Sequence, residues 1–175
     1  MRKRLLALAG LSLAGLSLAG CGYKVAGKAD LVPKNLHTIA IPAFNNATTH
    51  YKLTDRLPNA LAQEFIARTR YQVIADADQA DMLLTGAVAN VIAYPSTFDP
   101  LTGRAAGVQV QVVLQVTLRE RVSGKVIYSQ PAMDFRERYE ISTDPQAYFD
   151  ESAPAFERLS RGVARNVVSA ILEMF

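Results

Sequence analysis

The residues of this chain most suited to covalent chemistry are Leu18-Ala19-Gly20-Cys21, which close a short apolar run and contain the only cysteine. A basic start, Arg2-Lys3-Arg4, precedes the apolar stretch Leu5 to Leu18, and small Ala19 and Gly20 expose the bond before the thiol. That is the pattern of a lipoprotein signal segment, in which Cys21 is the nucleophile that accepts lipid. At 14 residues the apolar stretch is shorter than the roughly 20 that a spanning helix requires. Elsewhere the chemistry is sparse. The two histidines, His37 and His50, stand 13 residues apart, with no ligand spacing around them and no spare cysteine for zinc. Gly-x-Ser-x-Gly, a phosphate loop and His-Glu-x-x-His are all absent. Asp76, Asp78 and Asp81 cluster, as do Asp150 and Glu151, but no glycine-centred calcium loop accompanies them, and aspartates beside strand ends serve as turn and cap residues. No catalytic residue, cofactor site or metal site is expected, and the chain does not read as an enzyme.

Removal of residues 1–20 leaves 155 residues from Cys21 to Phe175, enough for a single domain with a real core. It also removes Arg2, Lys3 and Arg4, so the formal charge of +3 falls to zero, with 16 basic against 16 acidic residues. A neutral domain has no electrostatic footprint for nucleic acid. Once the one thiol is acylated, no disulfide can form, and stability must come from packing.

Residues 21–35 carry two glycines and Pro33 and read as a lipidated tether, leaving 36–175 as the folded unit. Leu36 to Phe44 suits a strand ending near Pro42, and Asn45 to Thr49 a loop. A helix is expected from Thr54 as N-cap, with Pro58 early enough to be tolerated and Leu57, Leu61, Phe65 and Ile66 as its apolar stripe. Tyr71 to Ile74 is a short strand. Met82 to Tyr94 is a longer one, with Gly86 as a possible bulge, and a loop holding Pro95, Pro100 and Gly103 follows.

The strongest local pattern is Val108 to Arg119, where Val108, Val110, Val112, Leu114, Val116 and Leu118 alternate with Gln109, Gln111, Val113, Gln115, Thr117 and Arg119. Period-two alternation means one buried face and one wet face. Ser123-Gly124 turns the chain into a strand over Lys125 to Glu140, interrupted near Pro131. Asp144-Pro145 has the character of a helix start, Phe156, Leu159, Val163, Val167, Ile171 and Met174 form a second stripe, and Pro154 is expected to kink or restart that helix. The resulting fold class is α+β, a two-layer sandwich. One mixed or mostly antiparallel sheet of four to five strands carries both amphipathic helices on one face, because a glutamine-rich face cannot be covered by an apolar stripe.

Cys21-Gly22-Tyr23-Lys24-Val25-Ala26-Gly27, followed by Leu36-His37-Thr38-Ile39-Ala40-Ile41-Pro42-Ala43-Phe44, resembles the opening of the lipopolysaccharide-assembly lipoprotein family LptE. Ala80-Asp81-Met82-Leu83-Leu84-Thr85-Gly86 and the Ser123-Gly124-Lys125-Val126-Ile127 hairpin extend the likeness downstream. The resemblance implies a non-enzymatic partner of the LptD β-barrel that sits in the barrel lumen as a plug. The pair would insert lipopolysaccharide into the outer leaflet of the outer membrane, on whose periplasmic side the lipid at Cys21 would anchor the protein. On that footing Gln109, Gln111, Gln115 and Thr117 are candidate barrel-facing residues, since a polar lumen suits neutral hydrogen-bonding groups. Arg104, Arg119, Arg121 and Lys125 are candidate contacts for lipopolysaccharide phosphates. Two other readings share the sequence features: an adaptor lipoprotein of another envelope-assembly or secretion complex, and a lipid-anchored enzyme. The second would need a pocket of convergent titratable groups.

Overall fold

The computed structural model describes residues 35–141 and 152–174. The expected signal segment, the tether up to Lys34 and the Asp144-Pro145 helix start lie outside them. Six strands and two helices follow in the order β1 (Thr38–Ala40), β2 (Asn45–Asn46), α1 (Leu53–Arg68), β3 (Gln72–Ile74), β4 (Met82–Phe98), β5 (Ala105–Glu120), β6 (Val126–Glu140) and α2 (Ser152–Leu172). The sheet order is β3-β1-β4-β5-β6, and β2 also pairs with β4. β1 runs parallel to β3 and β4, whereas β4, β5 and β6 form an antiparallel meander. The α+β two-layer class therefore holds, with a mixed sheet of six strands in place of four to five.

The alternation in β5 divides the molecule. Val110, Val112, Leu114, Val116 and Leu118 are all buried, in one cluster with Leu57, Leu61 and Phe65 of α1 and Leu159, Val163, Val167 and Ile171 of α2. Both helices thus cover one face of the sheet. They lie side by side in the same direction. Arg56, early in α1, donates from Nη1 to the Ala153 carbonyl at 2.7 Å, and Arg68, at its end, donates to Ser169 Oγ at 2.7 Å.

Several local expectations change for identifiable reasons. α1 begins at Leu53 rather than with Thr54 as cap. Leu53 extends the buried stripe of Leu57, Leu61 and Phe65 by one turn at the N-terminal end, whereas Ile66 is 61% exposed. Pro58 has no N–H for the Thr54 carbonyl one turn back. That carbonyl accepts instead from the Phe44 backbone N–H at 3.2 Å, which fastens the bend between β1 and β2 to the helix. The Phe44 ring then lies over Gly86, where an added Cβ would fall inside the ring's van der Waals envelope. Gly86 is therefore in regular register with Val116 and admits Phe44, while the bulge of β4 falls between Val88 and Asn90. β4 also continues through Pro95 to Phe98. Its outer neighbour β2 ends opposite Val88, so among the described residues no strand lies beside Pro95 on that side, and the missing proline N–H costs no ladder bond there.

β6 passes Pro131 with one extra residue between the Val116–Gln130 and Leu114–Met133 pairs, so the expected interruption is a bulge within one strand. Pro154 sits in the first turn of α2, where its N–H would have had no partner, and the helix runs on to Leu172. Met174, expected in the stripe, is exposed beyond the helix end.

Asp81 closes the near end of the sheet. Its Oδ2 accepts from the backbone N–H groups of His37 and Thr38 at 2.8 and 2.9 Å, and its own N–H donates to Thr38 Oγ1 at 2.8 Å. The clamp sets the β1–β4 register. The His37 and Thr38 N–H groups stabilise the carboxylate and hold its pKa below the usual 3.8. A depressed acid pKa contributes stability above the unfolded-state value, and that contribution vanishes as pH falls through the folded-state value. Asp81→Asn is therefore expected to lose about 1 kcal/mol at pH 7. In thermal melts, its deficit against the unaltered chain should shrink steadily below about pH 4, the ordinary range of an aspartate. A deficit that is constant from pH 7 to pH 3 would mean that the carboxylate charge has no part in the clamp.

Candidate functional site, the open face of the sheet

The face turned away from the helices is built by the residues of β5 that the core does not use. Gln109, Gln111 and Thr117 are half-buried there and Gln115 is exposed. Each has defined neighbours across the ladder: Gln109 lies between Tyr94 and Arg138, and Gln111 between Ile92 and Arg136. Gln111 Nε2 donates to Asp134 Oδ2, and the Thr117 and Ser129 hydroxyls are 3.3 Å apart. A central row of neutral amides and hydroxyls is thus flanked by apolar Ile92 and Tyr94 on the β4 side and by charged Asp134, Arg136 and Arg138 on the β6 side. Sequence reading missed both flanks. The signal was present in the alternation Asp134-Phe135-Arg136-Glu137-Arg138-Tyr139, which becomes informative only once its register against β5 is known. Arg138 donates to Thr97 Oγ1 across the face, over Gly107, where a side chain would press on the guanidinium.

The four candidate cations do not form one cluster. Arg119, Arg121 and Lys125 stand at the β5–β6 turn, whereas Arg104 stands at the β4–β5 turn, about 50 Å away along a strand rising about 3.3 Å per residue. Arg121 is structural as well as cationic: its Nε donates to the Ala80 carbonyl at 2.7 Å and its backbone N–H to the Asp81 carbonyl at 2.8 Å. Arg104 closes a turn organised by Asp99. The Asp99 Oδ1 accepts the N–H groups of Leu101 and Thr102, each at 2.8 Å, and those of Thr102 and Leu101 lower its pKa. Gly103 completes that turn at a φ of 66°, in the left-handed region that favours glycine.

On the helix side, a cleft of about 420 Å³ opens between the first turns of the helices and the sheet, lined among others by His50, Lys52, Ala93, Val110 and Phe156. The His50 ring lies 5.6 Å from that of Phe156. Among the described residues no group of three His, Cys, Asp or Glu is placed to hold a metal. Asp76, from the acidic cluster, spends its carboxylate on the Asp78 N–H and the Gln79 amide, both at 2.9 Å, as a turn residue does.

The family model for lipopolysaccharide assembly, LptE, matches residues 36–171. The chain belongs to the LptE family. No curated protein matches it in sequence. Among solved structures, it is similar to the rare lipoprotein B of Shewanella oneidensis, with a TM-score of 0.51 at 12% identity over 78% of this chain and 95% of that one. It is also similar to a lipoprotein B of Nitrosomonas europaea, with a TM-score of 0.51 at 14% identity, covering 87% and 96% of the two chains. A chain of a PelC dodecamer from Paraburkholderia phytofirmans gives 0.52 at 17%, covering 78% and 87%. Identities this low establish a shared fold.

The geometry separates the cations at the β5–β6 turn into two kinds. Arg119→Glu combined with Lys125→Glu is expected to leave the melt unchanged, since both side chains are exposed. Arg121→Ala should cost about 1 kcal/mol by leaving the Ala80 carbonyl without its donor. Equal melts for the two variants would show that the Arg121 contact contributes nothing.

Proposed function

We propose that this LptE-family chain is an outer-membrane lipoprotein, acylated on Cys21, that occupies the lumen of an LptD-type β-barrel. Within the barrel, it assists assembly of lipopolysaccharide into the outer leaflet. The supporting observation is the two-faced sheet: one face is sealed by two helices, and the other presents Gln109, Gln111, Gln115 and Thr117 beside Ile92 and Tyr94. Neutral amides lose less on contact with a polar wall than charges would, and can pair with its side chains directly or through trapped water. The work is binding and positioning, with no covalent step assigned to any side chain of the domain. Arg119 and Lys125, which need no partner within the fold, are the candidate contacts for lipopolysaccharide phosphate, and their charge reversal should weaken lipopolysaccharide binding by the purified protein. Arg104 would meet a different part of any ligand.

Photo-crosslinkers placed singly at Gln109, Gln111 and Gln115 in cells are expected to capture one large heat-modifiable barrel, whereas one at exposed Glu157 on α2 serves as the comparison. Capture of another envelope component by all three would replace the barrel partner with a different assembly complex. Silence at all three would remove the open face as the contact surface.

Anchoring is tested independently. A clickable fatty acid should label the unaltered chain and fail to label Cys21→Ala, which has no other thiol. The variant should accumulate as uncleaved precursor. Labelling of the variant would exclude Cys21 as the site.

A further inference from the structure

Among the described residues, three stretches of the sheet have no strand beside them, and they differ in what they offer. β3 is only three residues long. The free part of β4, beyond Val88, is broken by Pro95 and by register shifts at Val88/Asn90 and Pro95/Thr97. Proline and bulges are the means by which edges are closed to pairing. β6 is different: from Met133 to Glu140 it pairs residue for residue with Leu114 back to Gly107, with no bulge and no proline. The carbonyl of Arg138 points away from β5, because Arg158 Nη2 donates to it at 3.1 Å, whereas Ile141 turns inward, its N–H donating to Ala106. By the alternation of an antiparallel ladder, Arg136 and Asp134 also turn both backbone groups outward. Among the described residues those groups have no partner.

Beside this edge, between β6 and α2, runs a groove of about 550 Å³ with Phe135 in its lining and four arginines around it: Arg136, Arg158, Arg161 and Arg165. Gly162 leaves the helix surface open, with nothing within 4 Å of where a Cβ would stand. Arg136, Arg158 and Arg161 pair with Asp134, Glu137 and Glu157 at 3.3, 2.8 and 3.2 Å. These pairs are solvent-exposed and therefore weak enough to exchange, and Arg165 has no acidic partner among the described residues.

We infer that the β6 edge and this arginine groove together form a docking site for an extended acidic peptide segment of a partner protein. The outward N–H and C=O groups of Asp134 and Arg136 supply the pairing, with the Arg138 carbonyl available once Arg158 turns to an acidic side chain. The guanidinium groups select acidic side chains by charge and by their planar fork. A phosphate-bearing lipid would satisfy the arginines and leave the strand edge unused, which is why a peptide is the occupant. This edge adjoins the open face and shares Asp134 and Arg136 with it, whereas Arg158, Arg161 and Arg165 stand on α2; the docking site does not depend on the barrel reading.

The probe is a short fluorescein-labelled peptide alternating glutamate with valine, measured by anisotropy against the purified full chain in detergent. Arg161→Glu combined with Arg165→Glu is expected to weaken binding about tenfold with an unchanged melt, whereas Gln115→Ala should have no effect. The same peptide N-methylated on alternate backbone nitrogens should also bind about tenfold more weakly, because it cannot donate to the edge. Binding unaffected by N-methylation would reduce the site to a charge patch and overturn the inference. So would equal binding of a lysine-valine peptide, or an edge already occupied by a second copy, seen as a dimer that Arg161→Glu with Arg165→Glu dissociates.

Discussion

Everything in this molecule depends on the strict alternation of β5. Six apolar side chains from Val108 to Leu118 point one way, and that one-sided surface is what α1 and α2 are recruited to cover. The interval residues are correspondingly freed from any part in the core. A strand of this length is also the rule against which β4 and β6 are registered, since both are measured out along it. The polar face follows from the same constraint, because a shift of one residue would exchange valines for glutamines across the whole sheet. The core and the open polar face are two sides of one periodicity.

The remaining structure holds the short parallel strands against this meander. β1 contributes three residues and β2 two, too few to persist on ladder bonds alone. Three contacts compensate: the Asp81 clamp, the Phe44 N–H on the carbonyl that Pro58 releases, and the Phe44 ring over Gly86. Each joins segments distant in sequence or fixes a helix to a strand bend. Polar groups therefore decide where the N-terminal strands sit, while apolar burial decides that they are held.

How much of this was legible in the sequence depends on range. Period-two and helical spacing gave the β5 faces and both helices, since those patterns are local and repeated. The open-face position of Gln109, Gln111, Gln115 and Thr117 was readable for the same reason. Contacts that depend on register were not readable: Gly86 looked like a bulge because Phe44, its actual reason, is 42 positions earlier. Pro95 looked like a strand terminator because the edge that tolerates it is defined by where β2 stops. Arg104 joined the other cations on paper although a full strand length separates them. Ile66 fits the stripe by spacing yet is exposed, while Leu53, one residue ahead of the expected helix, is buried with Leu57, Leu61 and Phe65. The flanks of the open face, Ile92 and Tyr94 on one side and Arg136 and Arg138 on the other, could be assigned only after β4 and β6 were laid along β5.

In the proposed function, the uncovered face of the sheet is the one a partner covers. Because the chain has no thiol other than Cys21, a cysteine introduced at one surface position can be labelled alone in the acylated protein. Maleimide labelling of Gln115→Cys and Ile92→Cys should therefore be fast in cells depleted of the barrel and strongly protected when the barrel is present, with Glu157→Cys on α2 labelled for comparison. Labelling at Gln115 and Ile92 that is equally fast in both conditions would contradict the account.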